Sequence, residues 1–176
     1  MNKTMFIICL LFVLLSSCKT DESSLSEQES LSKQGRSYAI KFSEFSVKIK
    51  NKDANSSWTD LGTLLMQKEE NGISVGLNNN YQGGGHSATF FLIESSEINN
   101  FLKAMIEGGS FKTGMYYGYR DEESVIKGIK NKEIITKIET INGSQHITFL
   151  GDKIKDSSGR TAEYAILLEE FKKNLK

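Results

Sequence analysis

The sequence predicts an α+β fold, an antiparallel β-rich domain with two amphipathic helices whose element order is open to duplication of a unit of four strands plus a helix. Three observations predict it. After residue 38 apolar and polar residues mostly alternate, two Asn-Gly pairs (Asn71-Gly72 and Asn142-Gly143) interrupt that alternation as hairpin turns do, and the period lengthens to that of a helix only near 95–107 and 161–175. The 176 residues, 38% of them hydrophobic, suit one folded domain, and 22 Lys+Arg against 22 Asp+Glu exclude a polybasic nucleic-acid binder or an acidic tail. With no proline in the chain, collagen-like and proline-rich linker classes fall away as well.

The first segment, residues 1–17, reads as an export signal. Lys3 precedes an apolar run over 5–15, too short to span a bilayer and suited to the hydrophobic region of a secretory leader. Leu15-Ser16-Ser17-Cys18 then resembles the lipobox of bacterial lipoproteins. That resemblance implies cleavage before Cys18, diacylglycerol on its sulfur and acylation of its amino group, so that the lipid bilayer is a partner through Cys18. Cys9 would leave with the leader, and a domain without thiols excludes disulfides, thiolate nucleophiles and Cys-ligated metals. Residues 18–37 are serine-rich and charged, the composition of a flexible tether. Lys19-Thr20-Asp21-Glu22 is similar to the surface-export signal of Bacteroidetes lipoproteins, with Thr20 interrupting it, and favours the outer membrane or cell surface over the inner membrane.

The folded domain is expected over 38–176. Tyr38, Ile40 and Phe42 alternate, then Phe45, Val47 and Ile49 in the opposite phase, which places a bulge or turn near 43–44. A polar loop is expected at 51–57, followed by strands over 61–67 and 73–79 joined at Asn71-Gly72. Residues 86–93 are almost continuously apolar from Ala88, the pattern of a strand covered on both faces. Ile98, Phe101, Leu102, Met105 and Ile106 fall on one helical face, with Ser95 or Ser96 as N-cap and Gly108-Gly109 as the stop. Strands are expected over 111–120, 124–130, 133–141 and 145–150. Tyr164, Leu168, Phe171 and Leu175 mark a closing helix capped by Thr161, with Lys172, Lys173 and Lys176 near its negative end.

Chemistry-bearing candidates are few, and no catalytic or metal-binding set and no cofactor is expected. Gly84 and His86, in the glycine loop at 82–86, offer backbone donors without the strand–loop–helix setting or Lys-Ser/Thr pair of a phosphate loop. His86 and His146 have no metal-ligand spacing and read as exposed strand-end residues. The acids at 69–70, 121–123 and 169–170 fall at turns or on a polar helix side, as solvated carboxylates do. Trp58 reads as a ring that anchors its loop. Alternation through 111–120 places Phe111, Met115, Tyr117 and Tyr119 inward and Lys112, Tyr116 and Arg120 outward, a tyrosine between two cations that offers a stacking surface for a sugar or base.

The strand–helix order, with Lys127-Gly128-Ile129-Lys130 in place of a Lys-Gly-Lys-Ala motif, resembles the whirly and PC4-like single-stranded DNA-binding folds. That resemblance implies nucleic-acid binding through a basic sheet, which an exported chain has little occasion to use. The sequence therefore favours a non-enzymatic, membrane-anchored binding module for an unidentified envelope protein or glycan. Single-stranded nucleic-acid binding is one alternative and an envelope hydrolase another.

Overall fold

The computed structural model describes residues 44–79, 87–156 and 158–175. These form one antiparallel sheet of ten strands with two short helices, a mainly β fold. In chain order the strands are β1 (Glu44–Lys52), β2 (Trp58–Glu69), β3 (Gly72–Asn78), β4 (Ser87–Glu94), β5 (Gly109–Lys112), β6 (Met115–Tyr116), β7 (Ile129–Lys130), β8 (Glu133–Ile141), β9 (Ser144–Lys153) and β10 (Thr161–Leu167). Helix α1 (Ile98–Glu107) follows a 3-10 turn at Ser95–Glu97, and α2 (Leu168–Lys173) follows β10 directly. Residues 1–43, which include the leader, the tether, the alternation expected at 38–42 and the first residue of the bulge or turn expected near 43–44, lie outside the described residues.

The strands lie side by side in the order β5-β8-β9-β10-β1-β2-β3-β4-β6-β7. Only Thr113 and Gly114 separate β5, at one end of that order, from β6, next to the other end. Two residues span at most about 7 Å, so the sheet has to curl until its ends meet. Backbone bonds across the seam hold it there: Thr113 N–H donates to Lys132 O at 2.9 Å, Gly114 N–H to Leu92 O at 2.8 Å and Asn131 N–H to Gly114 O at 3.4 Å.

The alternation expected in β1 is present, with Phe45, Val47 and Ile49 inward. The turn between β8 and β9 is the two-residue kind that Asn-Gly favours, with Asn142 at φ 51° and Gly143 at φ 81°. Between β2 and β3 the register pairs Glu69 with Gly72, so the loop residues are Glu70 and Asn71 and the glycine flanks them. In β4 a bulge opposite Val75-Gly76 leaves Phe90 unpaired, and Phe90 and Phe91 both turn inward. This corrects the expectation of a strand covered on both faces: Leu92 lies on the outer face, 37% exposed. Phe90 packs edge-on against Tyr164 at 5.1 Å between ring centroids and against Tyr116 at 5.7 Å, at the centre of the interior.

The α+β expectation is overturned at the C-terminus. Residues 161–167 form a strand between β1 and β9, and the closing helix has only six residues. Tyr164, Ile166 and Leu168 fit a period of two as well as Tyr164, Leu168 and Phe171 fit a helix, and pairing with two neighbouring strands decides between them. The duplication fails too, because the strands after α1 divide between the two ends of one sheet and form no second copy of the first four. Both helices meet at one end of the curled sheet, where Phe171 lies 5.8 Å from Phe45 and 6.3 Å from Phe101.

Because Phe90 is wholly buried among other rings, Phe90→Ala should lower unfolding free energy by about 3–5 kcal/mol. A urea titration with an unchanged slope and a lower midpoint would carry that result.

Candidate functional site

The sequence-expected stacking surface is not assembled. Local strand structure stops at Thr113-Gly114, which shifts the phase of alternation: Phe111 on β5 and Thr113 just after it face inward, and after the break Tyr116 faces inward on β6. Tyr116 is fully buried. Lys112 stays exposed on β5, where its backbone N–H donates to the Glu97 carboxylate at 3.1 Å, and Arg120 stands beyond β6 with its guanidinium 5.8 Å from the Tyr119 ring centroid. The cation that does face Tyr116 is Lys132, with Nζ 5.3 Å from the ring centroid. Gly84, His86 and Cys18 lie outside the described residues. His146, expected at the surface, is buried, with Nδ1 3.0 Å from Ser144 O. Trp58 opens β2 half-buried, with Lys52 Nζ 5.6 Å from its ring centroid.

One carboxylate departs from the expectation of solvated acids. Glu122 is 1% exposed and accepts hydrogen bonds from the Tyr116 hydroxyl at 2.8 Å, the Tyr119 N–H at 2.7 Å, the Tyr164 hydroxyl and the Asp152 N–H. Its backbone bridges Ile154, and two glycines make room for its carboxyl. A Cβ on Gly118 would stand 2.5 Å from Oε1, and one on Gly151 would stand 2.6 Å from both Oε2 and the Tyr116 hydroxyl. Burial raises the Glu122 pKa above the usual carboxylate value, and the four donors offset only part of that effect. Burial first, then the neighbouring hydroxyl and carboxylate groups, push the Tyr116 phenol well above its ordinary value; burial and Glu122 do the same for Tyr164. Both therefore remain hydroxyl donors at neutral pH. Glu122 lines no cavity described below, and its neighbours enclose it on every side that carries a donor. It fastens the segment after β6 to β9 and β10.

That fastened segment forms one wall of an open groove of about 480 Å3. The groove lining is apolar at Leu77, Ala88, Leu92 and Val125, with rings from Tyr117 and Tyr119 and polar groups at Asn79 and Thr89. Among the described residues, Arg120 is the only charged one in the lining. The Asn79 side-chain amide donates to the Tyr119 hydroxyl and ties the β3 end to that wall. Leu92 and Val125 are each more than a third exposed here, at 37% and 39%.

A second recess, about 370 Å3, is lined by Lys52, Asp53, Asp121, Lys155, Asp156 and Arg160 among others. Two of its cations are paired locally. Arg160 Nη2 lies 2.8 Å from Asp156 Oδ2, and Lys52 Nζ lies 3.0 Å from Glu163 Oε2. The Ser158 and Arg160 donors hold the Asp156 carboxyl down at about 2. Among the described residues, no group of three or more His, Cys, Asp and Glu side chains is placed to hold a metal ion.

Sequence reasoning missed Glu122 and the groove. The partners of Glu122 lie up to 42 residues away, so no local pattern marks it. Leu92 stands on the outer face within an apolar run that reads as covered on both faces.

The family described as Borrelia outer surface protein E matches the chain over residues 42–174. Among solved structures, ErpC of Borrelia burgdorferi, described as a member of the complement regulator acquiring family of surface proteins, is 64% identical; the match covers 78% of this chain and 99% of that one at a TM-score of 0.72. Complement regulator-acquiring surface protein 3, or ErpP, of Borrelia burgdorferi is 66% identical over 78% of this chain and 99% of its own, at a TM-score of 0.71. Outer surface protein E in solution is 66% identical over 78% and 88%, also at 0.71. No curated protein matches the chain.

A proton taken up by Glu122 in the folded state, at a pH where the unfolded chain leaves it off, stabilises the fold. Lowering the pH from neutral through the raised Glu122 range should therefore stabilise the wild-type protein relative to Glu122→Gln, and the difference should level off above that range. Thermal melts of the two proteins across the range measure it. Gly151→Ala should cost about 1–3 kcal/mol by crowding the same carboxyl, readable in the same melts.

Proposed function

The chain belongs to the Borrelia outer surface protein E family, and on that footing we propose that it is a lipid-anchored surface protein that captures a complement regulator. Membership supports a cell-surface location and a binding role. Carrying this to capture of a complement regulator rests on one observation above all: relatives described as acquiring complement regulators share 64–66% identity with nearly their whole length aligned.

The architecture suits the role. Glu122, whose pKa is raised by burial, is enclosed by four donors and the glycine cradle, which favours a bracing part over acid–base chemistry and so a binding surface over a hydrolase. The leader, the Leu15-Ser16-Ser17-Cys18 pattern and the serine-rich residues 19–37 support anchoring through lipid on Cys18, with the folded domain carried on a tether.

The mature chain carrying Cys18→Ser, immobilised and exposed to serum, is expected to retain a complement regulator. Its failure to do so beside ErpP treated identically would defeat the capture reading. Cys18→Ala in the full-length protein should abolish lipid labelling and move the protein out of the membrane fraction; continued membrane recovery would defeat the anchor.

A further inference from the structure

Outside the braced core, two open recesses meet beside β4. The 480 Å3 groove, with Thr89, Leu92, Tyr117 and Val125 in its lining, shares Leu92 with a second open recess of about 320 Å3 that continues to Met115 on β6. At 3.3–3.4 Å per residue, β4 positions 89–94 cover about 17 Å, so the two recesses make a track of that length. The track is electrically polarised. Among the described residues, Arg120 is the only charged one lining the first recess, and its guanidinium is placed over the Tyr119 ring. Among the described residues, Arg120 has no salt-bridge partner. The acids Glu69 and Glu94 line the far recess.

We propose that this track binds a medium-chain fatty carboxylate, with its headgroup at Arg120 and its chain laid over Leu92 toward Met115. A half-apolar concavity of this volume lies within the range of small-molecule sites, about 300–1,000 Å3. The acid-free end with its arginine selects an anionic head, since a guanidinium donates charge-assisted hydrogen bonds to a carboxylate. Glu69 and Glu94 disfavour the reversed orientation and any second anionic group at the far end. A track of that length fits a single chain, whereas a stable protein interface buries about 1,200 Å2 or more. The exposed pair Ile135 (57%) and Leu150 (53%), on β8 and β9, lines neither recess and serves as a built-in control. This site is independent of complement-regulator capture.

The test uses the mature chain with Cys18→Ser, so that no acyl group is attached, titrated with sodium decanoate below its micelle concentration and followed by amide NMR. Saturable shifts are expected at Leu92, Met115, Tyr117 and Val125, with affinity falling roughly two- to fourfold for each methylene removed toward octanoate. Arg120→Gln should weaken binding about tenfold, and Leu92→Asp should abolish it; both positions are exposed, so an unchanged melting temperature confirms the fold. The proposal is overturned by absence of saturable shifts, equal binding of decyltrimethylammonium, shifts centred on Ile135 and Leu150, or unaltered affinity in Arg120→Gln.

Discussion

Thr113 and Gly114 join strands near opposite ends of the ten-strand order, and this short connection governs the rest of the domain. A chain that must cross from one end of a sheet to the other in two residues allows only a sheet whose ends have come together. Curling in turn gives every strand an inner face and an outer one, and a ten-strand perimeter encloses more space than aliphatic side chains readily fill. The interior accordingly carries large rings. Phe90, Phe91, Phe111, Tyr116, Phe149 and Tyr164 stand within 6.4 Å of at least one ring neighbour, and the β4 bulge supplies two consecutive rings where regular alternation would supply one.

Two of those rings bear hydroxyls that need acceptors once buried, and Glu122 supplies them. The relation is reciprocal. A buried carboxyl is costly by itself, and four donors converging from β6, the residues after it, β9 and β10 offset that cost. Because its donors come from separate stretches of chain, the carboxyl fixes the segment after β6 against the sheet, although Met115–Tyr116 and Ile129–Lys130 provide only short ladders there. Tyr119, Arg120 and Val125 gain fixed positions on the outside through a bond network on the inside. Gly118 and Gly151 keep that network compact, since a side chain at either position would occupy the space of the carboxyl or its partners.

Local features were legible in the sequence where neighbouring residues determine them. The inward set of β1, the Asn142-Gly143 turn and the amphipathic helix at 98–107 each depend on a few consecutive side chains, and each is present. The C-terminal segment was not legible, because Tyr164, Ile166, Leu168 and Phe171 satisfy two periods at once and only pairing with β1 and β9 selects one. Tyr116 was placed on the wrong face because alternation was carried through Thr113-Gly114, where the chain changes from one end of the sheet order to the other. Glu122 reads as an ordinary turn acid between Asp121 and Glu123; its burial is decided by Tyr164 and Asp152, far along the chain.

The strand registers also give the domain two unlike ends. Glu44 pairs with Gln67 near the Glu70-Asn71 turn, and Phe45 meets Phe171, so the chain enters the sheet at the end closed by the helices. Lys52 pairs with Trp58 at the opposite end, as Asn78 does with Ser87 and Thr161 with Lys153. The charged recess of Lys52, Asp121 and Arg160 and the Asn79–Arg120 side of the groove belong to that second end. The inner network and the outer surface are thus separable: Leu92, Arg120 and Asp156 are exposed and can change without removing a core contact, whereas changes at Gly118, Glu122 or Tyr164 act on the fold itself.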